Sequence, residues 1–362
     1  MRITHILYSG LGGHASVFFS LVKGDAKKEF SSSALFCGIE KIKNDYVEQC
    51  RTLNVPYDHI LKKRGADFRA YGAIYKGLKK LKPDILFLHG ASFILPAIIF
   101  KLFNRHTKLI IRDTQAIHLK STTEWLWLRI ALYFSDNLIF LTKESLEGVL
   151  NKTGYKKILV KGVIISNGLD TNFYSPVLQR PPSGRIVFGM QSRLQSIKDH
   201  PTLLHAFVLL KKRYPVLNMF LRIAGEGETM ASLQQLKREL GIDTEVDFCG
   251  MLAEKDLLNF MHSLDIYVHA SHGETMSNSI MQAMSCGLPI IASNVWGINN
   301  MITDGDNGLL YRAGDAHDLC EKMACLIDLK DRRVLLAQKA RAYAVKEFSL
   351  QQLFCRYRQV FS

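Results

Sequence analysis

The seven cysteines, at positions 37, 50, 249, 286, 320, 325 and 355, form no C-x-x-C pair. That argues against a zinc ribbon or a redox dithiol and makes reduced, structural thiols the expectation. Low-complexity tracts are missing as well, and the apolar (48%) and charged (22%) fractions are those of a folded globular chain. No charged and then apolar leader precedes a small-residue cleavage site: Met1 runs directly into the alternating "RITHILYS", so the chain is expected to stay in the cytoplasm. Long hydrophobic runs are scarce. The nearest approach to a membrane span, "ILFLHGASFILPAIIFKLF" (85–103), is cut by His89, Gly90 and Pro96 into a strand-length and a helix-length piece. Proline is sparse too, and three of its nine occurrences fall in "SPVLQRPPSGR" (175–185), which reads as a domain linker.

What is abundant is positive charge, and it lies in one half. Residues 1–182 hold 27 basic and 14 acidic side chains, against 20 and 19 in 183–362. Such a half suits an anionic membrane or an anionic lipid carrier. A nucleic-acid partner is not expected, because the charge is not interleaved with exposed aromatics in a recognised module.

At 362 residues the chain exceeds what one core usually organises. Short β-type runs alternate with helical patterns, the signature of parallel sheets wound with helices on both faces. In the first half the strands are expected at "ITHILYS", "ALFCGI", "ILFLH", "KLIIRD", "NLIFLT" and "KILVKGVIIS", with helices at "NDYVEQCRTLN", "FRAYGAIYKGLKKL" and "TTEWLWLRIALYF". After the linker the alternation restarts. The expected plan is α/β, two Rossmann-like doubly wound domains (1–178 and 179–346) facing a central cleft at the carboxyl ends of their strands, with a closing segment at 347–362.

Two loops of the second half carry chemistry. "HGETMSNSIMQAMSCGLPIIAS" (272–293) follows the strand "DIYVHA" into a helix from about Ser277 to Cys286, which Ser277 or Asn278 can cap and Gly287 and Pro289 can end. Backbone N–H groups and the positive pole of such a helix hold an anion, a diphosphate for example; an ordinary capped turn is the competing reading. "GMQSRLQSIKDH" (189–200) places Arg193 and Lys198 five residues apart after the first strand of the same half, a pair suited to two phosphates or, taken singly, to solvated surface charge. In "SGLGGHA" (9–15), Gly12 and Gly13 let the backbone approach a ligand, but neither this turn nor "AGEGETM" (224–230) completes a G-x-G-x-x-G fingerprint.

In order and spacing, "SRLQSIKD", "LRIAGEGE", "VDFCG", "SHGETMSNSIMQAMSCGLPIIAS" and "ITDGDNGLLY" resemble the carboxyl-terminal domain of glycosyltransferase family 4, retaining enzymes of the GT-B fold. "ISNGLDTNFYSP" (165–176) resembles the family's Asn-Gly-x-Asp segment ending the first domain, and "FSLQQLFCRYRQVFS" its closing helix. The likeness is strongest from about residue 163 to 312. It implies a hexosyl- or related transferase taking a sugar from a UDP- or GDP-sugar to a glycan or lipid-linked acceptor in cell-surface polysaccharide or lipopolysaccharide synthesis. The alternatives are a donor-binding scaffold subunit and a nucleotide-sugar epimerase of the same fold.

Carried over by residue, the resemblance implies that Arg193 and Lys198 bind the donor diphosphate, assisted by backbone N–H groups near Met276, Ser277 and Asn278 and by Gly12 and Gly13. Glu274, first acid of the family's Glu-x7-Glu motif, meets the hydroxyls of the transferred sugar, and Glu226, Gly250 and Met251 lie near the base. The second Glu, which holds the ribose, is Gln282 here. It keeps a carbonyl acceptor but gives up a charge-assisted bond worth about 1 kcal/mol more than a neutral one. A family His that contacts the sugar corresponds to Gln115 or His118, and His118 is favoured by its chemistry. The catalytic set is thus Glu274, His118, Arg193 and Lys198, with the leaving phosphate oxygen taking the acceptor's proton.

No cofactor or metal is expected. Asp304 and Asp306 have D-x-D spacing but read as an Asx and glycine turn, and His269 and His272 lack a third ligand. Lys62, Lys63, Arg64 and Arg69, together with Trp125, Trp127 and Arg129, suit peripheral contact with an anionic leaflet at the cytoplasmic face of the membrane.

Overall fold

Strands buried on both faces read as continuous apolar runs, and the two sheets of the computed structural model are built around such strands. The structure describes residues 1–10, 13–115, 117, 120–177 and 184–362. The chain divides into two units, 1–168 with 350–362, and 169–349.

Among the described residues the first unit has strands β1 (Arg2–Tyr8), β2 (Ser31–Gly38), β3 (Tyr57–Leu61), β4 (Ile85–His89), β5 (Lys108–Asp113), β6 (Asn137–Phe140) and β7 (Gly162–Ile164) in one parallel sheet, ordered β3-β2-β1-β4-β5-β6-β7. Its helices are α1 (Gly13–Gly24), α2 (Asn44–Thr52), α3 (Phe68–Leu81), α4 (Ile94–Phe103), α5 (Thr122–Phe134), α6 (Lys143–Thr153) and α7 (Ile158–Lys161). The second unit repeats the plan with β8 (Ile186–Gln191), β9 (Met219–Ala224), β10 (Val246–Gly250), β11 (Ile266–His269), β12 (Ile290–Ser293) and β13 (Leu309–Tyr311), ordered β10-β9-β8-β11-β12-β13. Its helices are α8 (His200–Arg213), α9 (Met230–Glu239), α10 (Glu254–Ser263), α11 (Asn278–Ser285), α12 (Ala316–Asp328) and α13 (Lys330–Phe348), after which α14 (Leu350–Phe361) belongs to the first unit. Each sheet reverses its strand order once near the middle, at β1/β4 and at β8/β11, and ligands of such sheets bind beyond the carboxyl ends of the strands at that reversal.

Capping explains the helix starts. Asp67 accepts from Arg69 N and Ala70 N at the front of α3, Ser121 and Glu124 form a reciprocal capping box on α5, and the Ser277 side chain accepts from Ile280 N on α11. The 85–103 run becomes β4, a turn at Gly90 (φ +101°) and α4, and no helix among the described residues is long and apolar enough to cross a membrane.

One local reading is corrected, and one strand escapes the sequence. "KILVKGVIIS" is not one strand: α7 occupies its first part and β7 begins at Gly162, where a Cβ would stand 2.5 Å from the Ile158 carbonyl oxygen. β3 goes unread in the sequence because, at the sheet edge, "YDHIL" is largely exposed and lacks an apolar pattern.

The break between the units falls at Gly168/Leu169, ahead of the Pro-rich stretch, whose residues 178–183 lie outside the described ones. Leu169 and Tyr174 pack into the second core, Leu169 N–H donates to Phe348 O (2.8 Å), and Arg341 donates to the carbonyls of Thr171 (2.9 Å) and Tyr174 (3.0 Å). At the far end Phe348 is still in that core, so the closing helix starts at Leu350 rather than at 347. α14 lies on α1 and buries Tyr357 and Phe361 against Phe87.

Candidate functional site

The strand order of the second sheet sets two loops side by side: the one after β8, with Arg193 and Lys198, and the one after β11, with Glu274. His272 N–H donates to Ile197 O (2.8 Å) across them, and Lys198 Nζ pairs with Glu274 Oε1 although the two are 76 residues apart. The loop after β8 is tied down on its other side, where Leu194 N–H donates to Glu226 O (2.9 Å). That approach is why "AGEGETM" has its glycines: a Cβ on Gly225, at φ +136°, would stand 1.8 Å from Ser192 O, and one on Gly227 would stand 2.2 Å from Leu194 O. The glycines seat the Arg193 loop.

Glu274 has a second partner. His269 Nε2, at the end of β11, lies 2.9 Å from the same Oε1. Burial, reinforced by the Lys198 charge, holds this imidazole well below the usual histidine range, so it is neutral. Lys198 is largely buried, and desolvation together with the Arg193 charge lowers its ammonium to about 8. Arg193 itself is exposed. Loss of the Gly297 conformation would disturb Glu274 too, since a Cβ there, at φ +84°, would meet Glu274 O at 2.3 Å.

The first turn of α11 stands beside these groups, with Ser277 as its N-cap and Met276 and Asn278 flanking it. Gly287, at φ +69°, follows the helix in the left-handed region, ahead of Pro289. Further along, Gln282 Nε2 donates to Tyr174 Oη (3.0 Å), which engages one of its two amide hydrogens. Glu226 and Met251 are both exposed and close together, with Met251 N donating to Glu226 Oε1 at 3.4 Å beside Gly250. The ensemble concentrates two cations, helix-front N–H groups and one carboxylate at a sheet reversal, an arrangement able to hold an anion and a hydroxyl-bearing neighbour.

In the first unit Gly13 opens α1, whereas Gly12 and His118 lie outside the described residues. Gln115, the other candidate, bonds the Glu124 side chain and lines a cavity of about 390 Å³ beyond β4 and β5. His14, His89 and Trp127 line the same cavity, and so does the Asp113–Lys120 pair (2.5 Å). His89 Nε2 meets the buried His5 Nδ1 at 3.1 Å, and burial leaves both rings neutral, His5 at about 3.

The remaining motifs hold the fold together. Asp304 Oδ1 accepts from Leu310 N (2.8 Å), Asp306 pairs with Lys339 (2.7 Å), and Gly305 (φ +77°) turns the chain between them. His272 faces Asp199 while His269 faces Glu274, and no group of three or more His, Cys, Asp or Glu among the described residues is placed to hold a metal ion. The sequence offers one signal for His269, its position five residues before Glu274 at a strand end; Tyr174 as the partner of Gln282 has none.

Residues 177–343 match the family model described as glycosyl transferases group 1. The D-inositol 3-phosphate glycosyltransferase of Corynebacterium aurimucosum is 28% identical over 201 residues, covering 52% of this chain and 48% of the relative. The lipopolysaccharide core biosynthesis glycosyltransferase LpsE of Rhizobium meliloti is 25% identical over 189 residues, 49% of this chain and 54% of LpsE. The chain thus spans about half the length of these curated relatives. Among solved structures, Anabaena HepE in complex with UDP and glucose superposes with TM-score 0.83 at 18% identity over 99% of both chains. A glycosyltransferase from Rickettsia africae gives 0.85 at 16% identity, over 99% of this chain and 97% of its own. The fold, two parallel-sheet Rossmann-like α/β units, is GT-B.

Proposed function

We propose that this chain is a retaining glycosyltransferase that moves a sugar from a UDP-sugar to a hydroxyl of a glycan or lipid-linked acceptor in cell-surface polysaccharide synthesis, without a metal or other cofactor. The observation that carries the reading is the meeting of Lys198, Glu274, the Arg193 loop and the front of α11 at the β8/β11 reversal, inside the segment that matches the glycosyl transferases group 1 model. UDP is preferred over GDP because HepE is solved with UDP. Transfer builds positive charge on the anomeric carbon and negative charge on the leaving diphosphate. Groups that meet the diphosphate most strongly at that moment lower the barrier.

In this reading Lys198 turns from Glu274 to the diphosphate as the donor enters, Arg193 and the α11 front complete the anion site, and Glu274 is left to the sugar hydroxyls. The leaving phosphate oxygen takes the acceptor's proton. Glu226 and Met251 flank the base, and the Gln282 carbonyl meets the ribose. The acceptor's terminal sugar is assigned to the 390 Å³ cavity, where Trp127 offers an aromatic surface among polar groups. A thermal-shift screen across UDP-, GDP- and ADP-sugars tests the donor: a UDP-sugar at about 100 times its Kd stabilises the folded chain by about 2.7 kcal/mol. If no UDP-sugar raises the melting temperature, the reading fails.

Membrane contact is part of the proposal. α3, α4 and α5 pack side by side over one core and expose Phe68 (81%), Leu102 (60%), Phe103 (75%) and Tyr133 (68%), with Lys62, Lys63 and Arg64 leading into α3 and Arg69 in its first turn. Each basic residue near an anionic leaflet contributes about 1 kcal/mol, and the apolar tips add insertion. Co-sedimentation with phosphatidylglycerol vesicles is expected, falling about tenfold in a Leu102→Ser, Phe103→Ser variant or at high salt. Equal binding to purely zwitterionic vesicles would count against it.

A further inference from the structure

His269 is wholly buried at the end of β11, and both of its ring nitrogens have partners. Nε2 faces Glu274 Oε1 at 2.9 Å, with Ser277 Oγ 3.5 Å away, and Nδ1 faces Tyr267 Oη at 3.4 Å. Tyr267 Oη accepts from Gln191 N (3.3 Å) at the end of β8 and lies 3.1 Å from Gln191 O. An ionised carboxylate only accepts, so the hydrogen sits on Nε2, and the unprotonated Nδ1 lies against the Tyr267 hydroxyl, whose one hydrogen is directed to Gln191 O. Glu274 is thereby linked through one imidazole to the two strands that flank the sheet reversal.

Lys198 and His269 share Glu274 Oε1 but differ in kind. The lysine ammonium rides on a flexible four-carbon stem that is largely but not wholly buried. The imidazole is fixed in a strand and sealed on every side. We infer that His269 is the positioning residue of Glu274: it keeps the carboxylate aimed at the sugar hydroxyls once Lys198 has been drawn to the diphosphate. The inference rests on the reading of Lys198 and Glu274 as donor-binding groups.

The test compares His269→Gln, which keeps an N–H within reach of Glu274, with His269→Asn, whose amide is too short to reach it, and His269→Leu, which has none. Isothermal titration with UDP reports the nucleotide site, and slow hydrolysis of the best-bound of UDP-glucose, UDP-galactose and UDP-N-acetylglucosamine reports the sugar site. UDP affinity is expected to stay within about twofold in all variants, while hydrolysis kcat falls about 10- to 100-fold in the Asn and Leu variants and is largely restored by Gln, the loss expected for one hydrogen bond to a charged group. A structural role alone would lower UDP affinity, melting temperature and kcat together, and would rank Gln with Asn. That result overturns the inference, as does wild-type kcat in the Asn variant. If the Leu variant does not fold, the Gln/Asn pair decides. A wild-type chain that binds no UDP removes the donor reading and this inference with it, whereas a wild-type chain that binds UDP with indifferent His269 variants removes this inference only.

Discussion

Lys198→Ala is expected to lower kcat for sugar transfer by about 100- to 1000-fold, the usual loss when one preorganised donor to a developing anion is removed. Two consequences of its geometry sharpen the expectation. Lys198 is the cation held against Glu274, so the alanine variant leaves that carboxylate with His269 and no cationic partner from the loop after β8. Lys198→Arg is expected to restore little, because a planar guanidinium does not fit a site shaped around a single ammonium on an unbranched stem.

The wild-type pH dependence follows from the same residue. Its ammonium loses its proton as pH rises through about 8, so UDP affinity measured by titration calorimetry should fall above that pH and hold below it. The unfolded chain keeps this proton up to the ordinary lysine value of 10.5, so between about 8 and 10.5 the unfolded state binds more protons and this group's contribution to folding stability rises with pH. Loss of UDP binding above pH 8 with an unchanged or higher melting temperature is therefore the expected pair of results. In Lys198→Ala that pH step should be absent.

Gly225→Ala is the second large effect. The residue sits at φ +136°, and its Cβ would lie 1.8 Å from Ser192 O, a backbone atom that cannot rotate away. Strained backbone and forced repacking cost about 1 to 3 kcal/mol each, so a destabilisation of about 3 kcal/mol is expected from denaturant midpoints. The displaced Ser192–Arg193 backbone should also weaken UDP binding by about tenfold or more, since the proposed anion site is seated on it. Gly241→Ala is the control: at φ +66° with nothing within 4 Å of its Cβ, it should lose about 1 to 2 kcal/mol and leave UDP binding unchanged.

The second unit was largely legible because its candidate residues sit where sequence signals are strongest, at the carboxyl ends of apolar strands followed by capped helices. Ser277 read as a cap and is one, and Arg193, Lys198 and Glu274 come from loops that the strand order brings together. His269 was half legible: it looked like one end of an H-x-x-H pair, and only the side-by-side placement of β8 and β11 turns it toward Glu274 and Lys198. Gly225 and Gly227 resembled an incomplete dinucleotide turn, since a sequence does not reveal that the backbone 33 residues earlier packs against them. Gln282 was read as a departure from a pattern. Its hydrogen bond to Tyr174 spans 108 residues and depends on Leu169 and Tyr174 folding with the second unit, past a boundary the Pro-rich stretch had placed later. In the first unit the strand pattern was plain except at the exposed edge strand β3 and at α7, and its cavity, assembled from three separate segments of the chain, left no contiguous signature.

Incubation of the chain with an α-linked UDP-sugar and a lipid-linked acceptor, followed by mass spectrometry and NMR of the products, decides whether it transfers sugar with retention. Free UDP is expected in equal amount to a new glycoside that keeps the α configuration, with both lost in Lys198→Ala. An isomerised donor, a β-linked product, or bound donor with no UDP released to any such acceptor would contradict it.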